Sequence, residues 1–314
     1  MSTPADRTPA SWATERERSN LLTLRVMRWI AVAAGRSVAR LVLHPITLYF
    51  LLVNTTARRE SARYLSLALQ RPARWTDVYR HIHHFAATIL DRVYLLQERF
   101  DQFEIRLTGV EPVHATLDRG QGAMLAGAHM GSFEALRASA QDLGKKIAML
   151  MFEDNARLIN ATLAAVAPNA QLNTIALGRP GAMLALRRWL DDGGLAGLLA
   201  DRTLPGHSER SRTVMLEFLG RPARFSDGPF RLAAMLRRPV YFMAGLYEGG
   251  NRYELRFVEL ADFSADAPDG GLSTDQRVRA AMDRYVTLLS ALCVESPYNW
   301  FNFYDFWGTT DATH

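Results

Sequence analysis

The chain has 314 residues, 48% of them hydrophobic and 22% charged, enough for a sizeable core and too apolar for a disordered chain. Its single cysteine, Cys293, excludes an internal disulfide and fits a reducing compartment. The net charge of +5 comes from dispersed basic residues, 35 of 37 being arginine, so an anionic partner is favoured and a nucleic acid is not.

Residues 1–19 are polar, contain Pro4 and Pro9, and read as a frayed start without the apolar core of a signal peptide. Residues 20–53 are apolar but interrupted by Arg25, Arg28, Arg36 and Arg40. The longest clean apolar run, 41–53, is shorter than the roughly 20 residues that span a bilayer. This pattern fits helices lying at a membrane interface with their arginines toward lipid phosphates, or a helical hairpin packed on the domain. Residues 56–100 carry apolar residues at helical spacing. Within them His81, His83 and His84 lack acidic or cysteine partners nearby, so hydrogen-bonded or solvated histidines are expected there, not a metal site.

From about residue 104 short apolar runs alternate with helical stretches. Strands are expected at 104–108, 123–129, 146–151, 172–177, 195–200, 213–218, 239–247 and 252–259, and helices at 132–143, 155–166, 180–192, 227–237 and 274–292. The alternation predicts an α/β fold: a mixed, largely parallel central sheet flanked by helices, preceded by an N-terminal helical membrane-associated region. The divisions are 1–19, a helical region 20–103 and an α/β domain 104–314, the last two forming one compact unit. Cys293 falls in an apolar helical stretch, where a buried, inert thiol is expected.

The stretch "GAHMGSFEAL" (127–136) carries the candidate chemistry. His129 ends a buried strand in the turn into a helix capped by Ser132, at the sheet edge where ligands bind in α/β folds. Glu134 follows in the first helical turn. A turn that folds this carboxylate onto the imidazole would fix its tautomer and leave the other nitrogen to take a proton from a hydroxyl or amine. Alone, a histidine and a glutamate at this spacing are a weak signal; the strand–turn–helix setting strengthens it.

This stretch resembles the H-x4-D/E motif of the lysophospholipid acyltransferase superfamily, in particular its late lipid A biosynthesis branch. Further segments are similar in order: "RWIAVAAGRSVARLVLHPITLYFLL" (28–52), "LADRTLPG" (199–206) and "VMLEFLGRPARFSDGPFRLAAMLRRPVYF" (214–242). The resemblance implies an acyltransferase that moves an acyl chain from an acyl carrier protein or coenzyme A thioester to a hydroxyl or amine of a lipid or glycolipid. It implies His129 as general base supported by Glu134, no metal or redox cofactor, and a peripheral or monotopic place on the cytoplasmic face of a bacterial inner membrane with an anionic surface.

Substrate-binding roles carry over to Arg179, Asp201, Arg202, Gly220, Arg221 and Gly228. Thr203 stands where the branch has a second acidic residue, which puts acceptor identity in doubt. Residues 201–238 hold eight arginines against four acids, either an anion-facing wall or a solvated surface. "SPYNWFNFYDFWG" (296–308) packs seven aromatics into thirteen residues, as a membrane interface or a core-closing segment would. A His–acid lipid hydrolase and a catalytically silent lipid- or carrier-binding protein are the alternatives. The H-x4-E pair argues against the second and the lack of G-x-S-x-G against the first.

Overall fold

The computed structural model describes residues 35–136, 146–152, 173–202, 212–264 and 270–308. Helices α1 (Gly35–Val53), α2 (Thr55–Ala68) and α3 (Trp75–Leu96) come first. Strand β1 (Glu104–Thr108), helix α4 (Glu111–Asp118) and strands β2 (Ala123–Gly131), β3 (Ile147–Phe152) and β4 (Asn173–Leu177) follow. The chain continues through α5 (Ala182–Asp191), β5 (Leu195–Leu199), β6 (Thr213–Phe218), β7 (Arg221–Ser226), α6 (Gly228–Leu236), β8 (Pro239–Gly249), β9 (Arg252–Asp262) and α7 (Thr274–Glu295).

Seven strands form one sheet in the order β1-β9-β8-β2-β5-β3-β4. Strands β8, β2, β5, β3 and β4 run parallel; β9 is antiparallel to β8, and β1 is parallel to β9. The expected α/β class and all eight expected strands are therefore present. The central strands are continuously apolar because helices cover both faces: Ala123 to Ala128 are all buried. Two elements were not anticipated. One is α4; the other is β7, whose "RPARFS" has a proline and two arginines. It forms an antiparallel two-stranded hairpin with β6, and only Ala223 and Phe225 face inward. The expected helix 155–166 and most of 132–143 lie outside the described residues.

The N-terminal helices share the sheet's cores. Leu51, Tyr64, Leu65, Val78 and Ile82 pack in one cluster with Met130 and Trp300, on the face that α7 covers. Ala39, Leu43, Leu90 and Tyr94 pack on the other with Tyr253 and Leu255. Helix α7 has its start fixed by a reciprocal capping box, Ser273 Oγ accepting from the Gln276 N–H and Gln276 Oε1 from the Ser273 N–H. It buries Cys293 completely, and that burial raises the thiol's pKa, as expected of an inert cysteine.

Helix α1 buries a narrow stripe, Ala39, Leu43, Thr47 and Leu51, one residue per turn. Its other faces remain apolar and open: Leu41 is 69% exposed and Leu52 63%, with Leu48, Tyr49, Phe50 and Val53 beside them. By length and composition it is apolar enough to cross a membrane. Of the two expected arrangements, Arg36 and Arg40 follow the one packed on the domain. Arg36 is paired through two contacts, at 2.8 and 2.9 Å, with the buried Asp91 of α3, and Arg40 bonds the Tyr247 hydroxyl. Burial raises the Asp91 carboxyl, and Arg36 only partly offsets this. These two arginines fasten α1 to the domain; Arg25 and Arg28 lie outside the described residues.

Candidate active site

Strands β2 and β5 are parallel neighbours, so the residues that leave their carboxyl ends emerge side by side. The Ala200 N–H donates to the Gly127 carbonyl at 2.9 Å, which carries the β5 exit one step past the ladder and delivers Asp201 beside His129. There Asp201 Oδ1 accepts from His129 Nδ1 at 2.8 Å, and Oδ2 accepts from the His129 backbone N–H at 3.0 Å and from the Trp300 indole Nε1–H at 2.9 Å. The carboxylate is wholly buried and meets three donors. Burial alone would raise its pKa. The pull of His129, their hydrogen bond, the Arg202 charge and the Trp300 indole together outweigh burial and hold it below its ordinary value.

An ionised carboxylate can only accept, so Asp201 assigns the proton of a neutral His129 ring to Nδ1. Nε2 is then the lone-pair nitrogen. It makes no hydrogen bond among the described residues, on a side chain 31% exposed. An imidazole held on one nitrogen by a buried acid and open at the other is the arrangement of a general base.

Glu134, the carboxylate expected to hold this imidazole, is not its partner. Glu134 is buried, salt-bridged to Arg92 of α3, and accepts from Ser132 Oγ at 3.2 Å. The reason lies in the turn between the two residues. Gly131 has φ +62°, and its N–H donates to the Asn299 carbonyl at 2.9 Å. Ser132 N–H then donates to the Gly245 carbonyl at 2.8 Å, so near β8 that a Cβ on Gly131 would lie 1.8 Å from that oxygen. Held against β8 and the C-terminal segment at these two points, the chain directs Glu134 to α3. Ser132, expected as a helix cap, gives its hydroxyl to Glu134 instead.

The remaining expected residues divide between this edge and elsewhere. Arg202 follows Asp201 directly; its Nη2 donates to the Phe301 carbonyl at 2.8 Å and its guanidinium lies 5.2 Å from the Tyr304 ring centre. Arg179 sits in the turn after β4, on the same edge, about 14 Å from β2 across three strand spacings. Leu219 and Gly220, both with positive φ, form the β6–β7 turn and Arg221 opens β7; neither Gly220 nor Arg221 bonds His129 or Asp201. Gly228 begins α6, its N–H bonded to Ser226 Oγ. Of the arginines of 201–238, Arg231 pairs with Asp227 and Asp275, Arg238 with Asp191, and Arg202 with the C-terminal backbone, while Arg210 lies outside the described residues.

The aromatic C-terminal segment is structural and also lies against the site. Met130 and Trp300 pair as an antiparallel bridge, and the Phe301 N–H donates to the His129 carbonyl at 2.8 Å. His81 closes this segment from the far side, its Nε2–H donating to the Trp300 carbonyl at 2.8 Å and its Nδ1 accepting from Ser61 at 2.8 Å. Burial pushes His81 down to about 3 and the neighbouring His83 and His84 to about 4. His83 Nε2 and His84 Nδ1 are buried without a hydrogen-bond partner among the described residues. Two residues of the site escaped the sequence reading: Arg92, one arginine among many on a helical face, and Trp300, one aromatic among seven.

A comparison with curated proteins found no match. Residues 73–308 match the family described as bacterial lipid A biosynthesis acyltransferase, a span that contains His129, Asp201, Glu134 and the C-terminal segment. The chain belongs to this family of the lysophospholipid acyltransferase superfamily, whose members are enzymes that transfer acyl groups to lipids.

Proposed function

We propose that the protein transfers an acyl chain from an acyl carrier protein or coenzyme A thioester to a hydroxyl or amine of a lipid or glycolipid acceptor, with His129 as general base. The observation that carries this reading is the bond between Asp201 and His129 Nδ1, which leaves Nε2 free at an open strand end. Nε2 takes the proton of the acceptor nucleophile as that nucleophile attacks the thioester carbonyl. The imidazolium so formed is stabilised by Asp201, and its proton goes to the departing thiolate. The attack makes the acyl–oxygen or acyl–nitrogen bond and the collapse breaks the carbon–sulfur bond, so no metal or redox cofactor is required.

In this reading Glu134 acts at one remove. With Arg92 it fixes the turn that presents His129, and its loss loosens that turn without removing the base. Arg179, on the same edge, is placed to meet a phosphate of donor or acceptor, since arginine pairs with phosphate through two directed hydrogen bonds. Gly220 and Arg221 shape the domain surface and do not touch the reacting groups.

The open apolar faces of α1 support attachment to the cytoplasmic face of a bacterial inner membrane, lying on the surface and not spanning it, because Arg36 and Arg40 tie one side of the helix to the domain. Replacing Leu48 and Leu52 by glutamate is expected to abolish co-sedimentation with anionic liposomes. Unchanged co-sedimentation of the folded variant would overturn this attachment. The function itself is tested by mass spectrometry of lipids from cells expressing the wild type or His129→Ala. The expected result is an acylated lipid present with the wild type and missing with the variant, a general base contributing about 10²–10⁴ in rate. The same lipid at equal abundance in both would refute the reading.

A further inference from the structure

The C-terminal tryptophan is not used by the chemistry above, yet its indole lies where a core-filling residue need not. Trp300 is fully buried, and its Nε1–H donates to Asp201 Oδ2 at 2.9 Å. Buried tryptophans take a partner for this N–H, but a backbone carbonyl suffices. Here the N–H is given to the carboxylate that holds the candidate base.

The indole is fixed from every side. Its ring meets Tyr64, Phe218 and Phe306 edge-on at centroid distances of 4.9, 5.1 and 5.0 Å. Its carbonyl accepts from His81, and the residues on either side of it are bonded to the backbone of Gly131 and His129. Trp307 is a useful contrast. It stacks on the same Phe218, but its Nε1 is buried without a partner among the described residues.

Three donors define the plane of the Asp201 carboxylate: His129 Nδ1 on one oxygen, and the His129 backbone N–H and the Trp300 indole on the other. Two of the three come from His129 itself. Trp300 is the donor that ties the carboxylate to a frame other than the histidine it serves. We propose that Trp300 is a positioning residue of the catalytic centre: its indole N–H sets the orientation from which Asp201 holds the His129 ring, so this tryptophan serves the catalytic machinery as well as the core. The proposal rests on the reading of His129 as base.

The test uses purified full-length protein, a long-chain acyl-coenzyme A as donor and a detergent-dispersed total lipid extract of the host bacterium as acceptor. Trp300→Phe keeps an aromatic ring and removes the donor. It is expected to lower kcat about tenfold, the scale of one charge-assisted hydrogen bond, with little change in KM. The acid limb of its kcat/KM–pH profile is expected to move to higher pH, because a carboxylate that has lost the indole donor keeps more of its charge for the His129 ring and favours the imidazolium. Trp307→Phe, which removes an N–H that bonds nothing among the described residues, is expected to keep the wild-type kcat and profile. A folded Trp300→Phe with wild-type kcat and an unmoved acid limb overturns the proposal. If Trp300→Phe does not fold, 3-benzothienylalanine at position 300, which replaces N–H by sulfur in the same ring shape, decides by the same two readouts. His129→Ala in the same assay separates the two levels. Activity in that variant sinks the general-base reading, whereas a dead His129→Ala beside a fully active Trp300→Phe sinks only the proposal for Trp300.

Discussion

His129 and His81 lie on opposite sides of Trp300 and share almost nothing else. His129 gives Nδ1 to a buried carboxylate and leaves Nε2 open on a side chain 31% exposed. His81 has both nitrogens committed, to Ser61 and to the Trp300 carbonyl, and is fully buried. One ring is backed by a negative charge on one nitrogen and leaves the other open. The other is held neutral by burial in a site with no carboxylate on either nitrogen. A histidine is a base because of what its second nitrogen faces, and neighbouring sequence does not report that.

The comparison is broken most severely by Asp201→Asn. The amide has no charge to support the imidazolium and can pair with Nδ1 in the wrong tautomer, so a loss of about 10²–10⁴ in kcat is expected. Steady-state rates on the folded variant check this. Glu134→Gln comes next. It keeps the shape but removes the charge facing Arg92, so the expected outcome is a stability loss of about 1–3 kcal/mol in denaturant unfolding with measurable acyl transfer retained. A fully folded but dead Glu134→Gln would restore the glutamate to the role its spacing suggested.

The smallest effect concerns His81 and appears as pH dependence. Its folded pKa, about 3, lies below the roughly 6.5 of an unfolded histidine. Above pH 6.5 both states are neutral and nothing is at stake. As pH falls from 6.5 toward 3 the unfolded chain binds a proton that the native ring refuses, and stability drops. The wild type is therefore expected to lose melting temperature between pH 7 and 5, and His81→Gln, which cannot titrate, to lose less over the same interval. Equal slopes would show that His81 is not held neutral.

How legible this was in the sequence follows from the range of each contact. The β2 strand, its histidine and the turn after it are local, and the apolar run ending in "GAHMGS" displays them. The pairing of His129 with Asp201 spans 72 residues and depends on β5 lying beside β2, an adjacency that chain order hides because β3 and β4 come between them. A signal was present: both residues stand at the carboxyl ends of predicted strands, where parallel neighbours share an edge. The spacing of Glu134 misled because Gly131 and Ser132 are bonded away to Asn299 and Gly245, partners more than a hundred residues distant. Likewise the sequence leaves open whether the arginines of α1 face lipid or the domain, because Asp91, which engages Arg36, lies 55 residues away on α3.

In the proposed mechanism Asp201 and His129 act as one unit. A double-mutant cycle in kcat/KM separates a unit from two independent groups, with His129→Ala, Asp201→Asn and both together, each confirmed folded by circular dichroism. Groups acting as a unit are strongly non-additive. Asp201→Asn, severe in the wild-type background, is expected to cost little more once His129 is gone. Additive losses, with Asp201→Asn equally severe in both backgrounds, would show two groups acting independently.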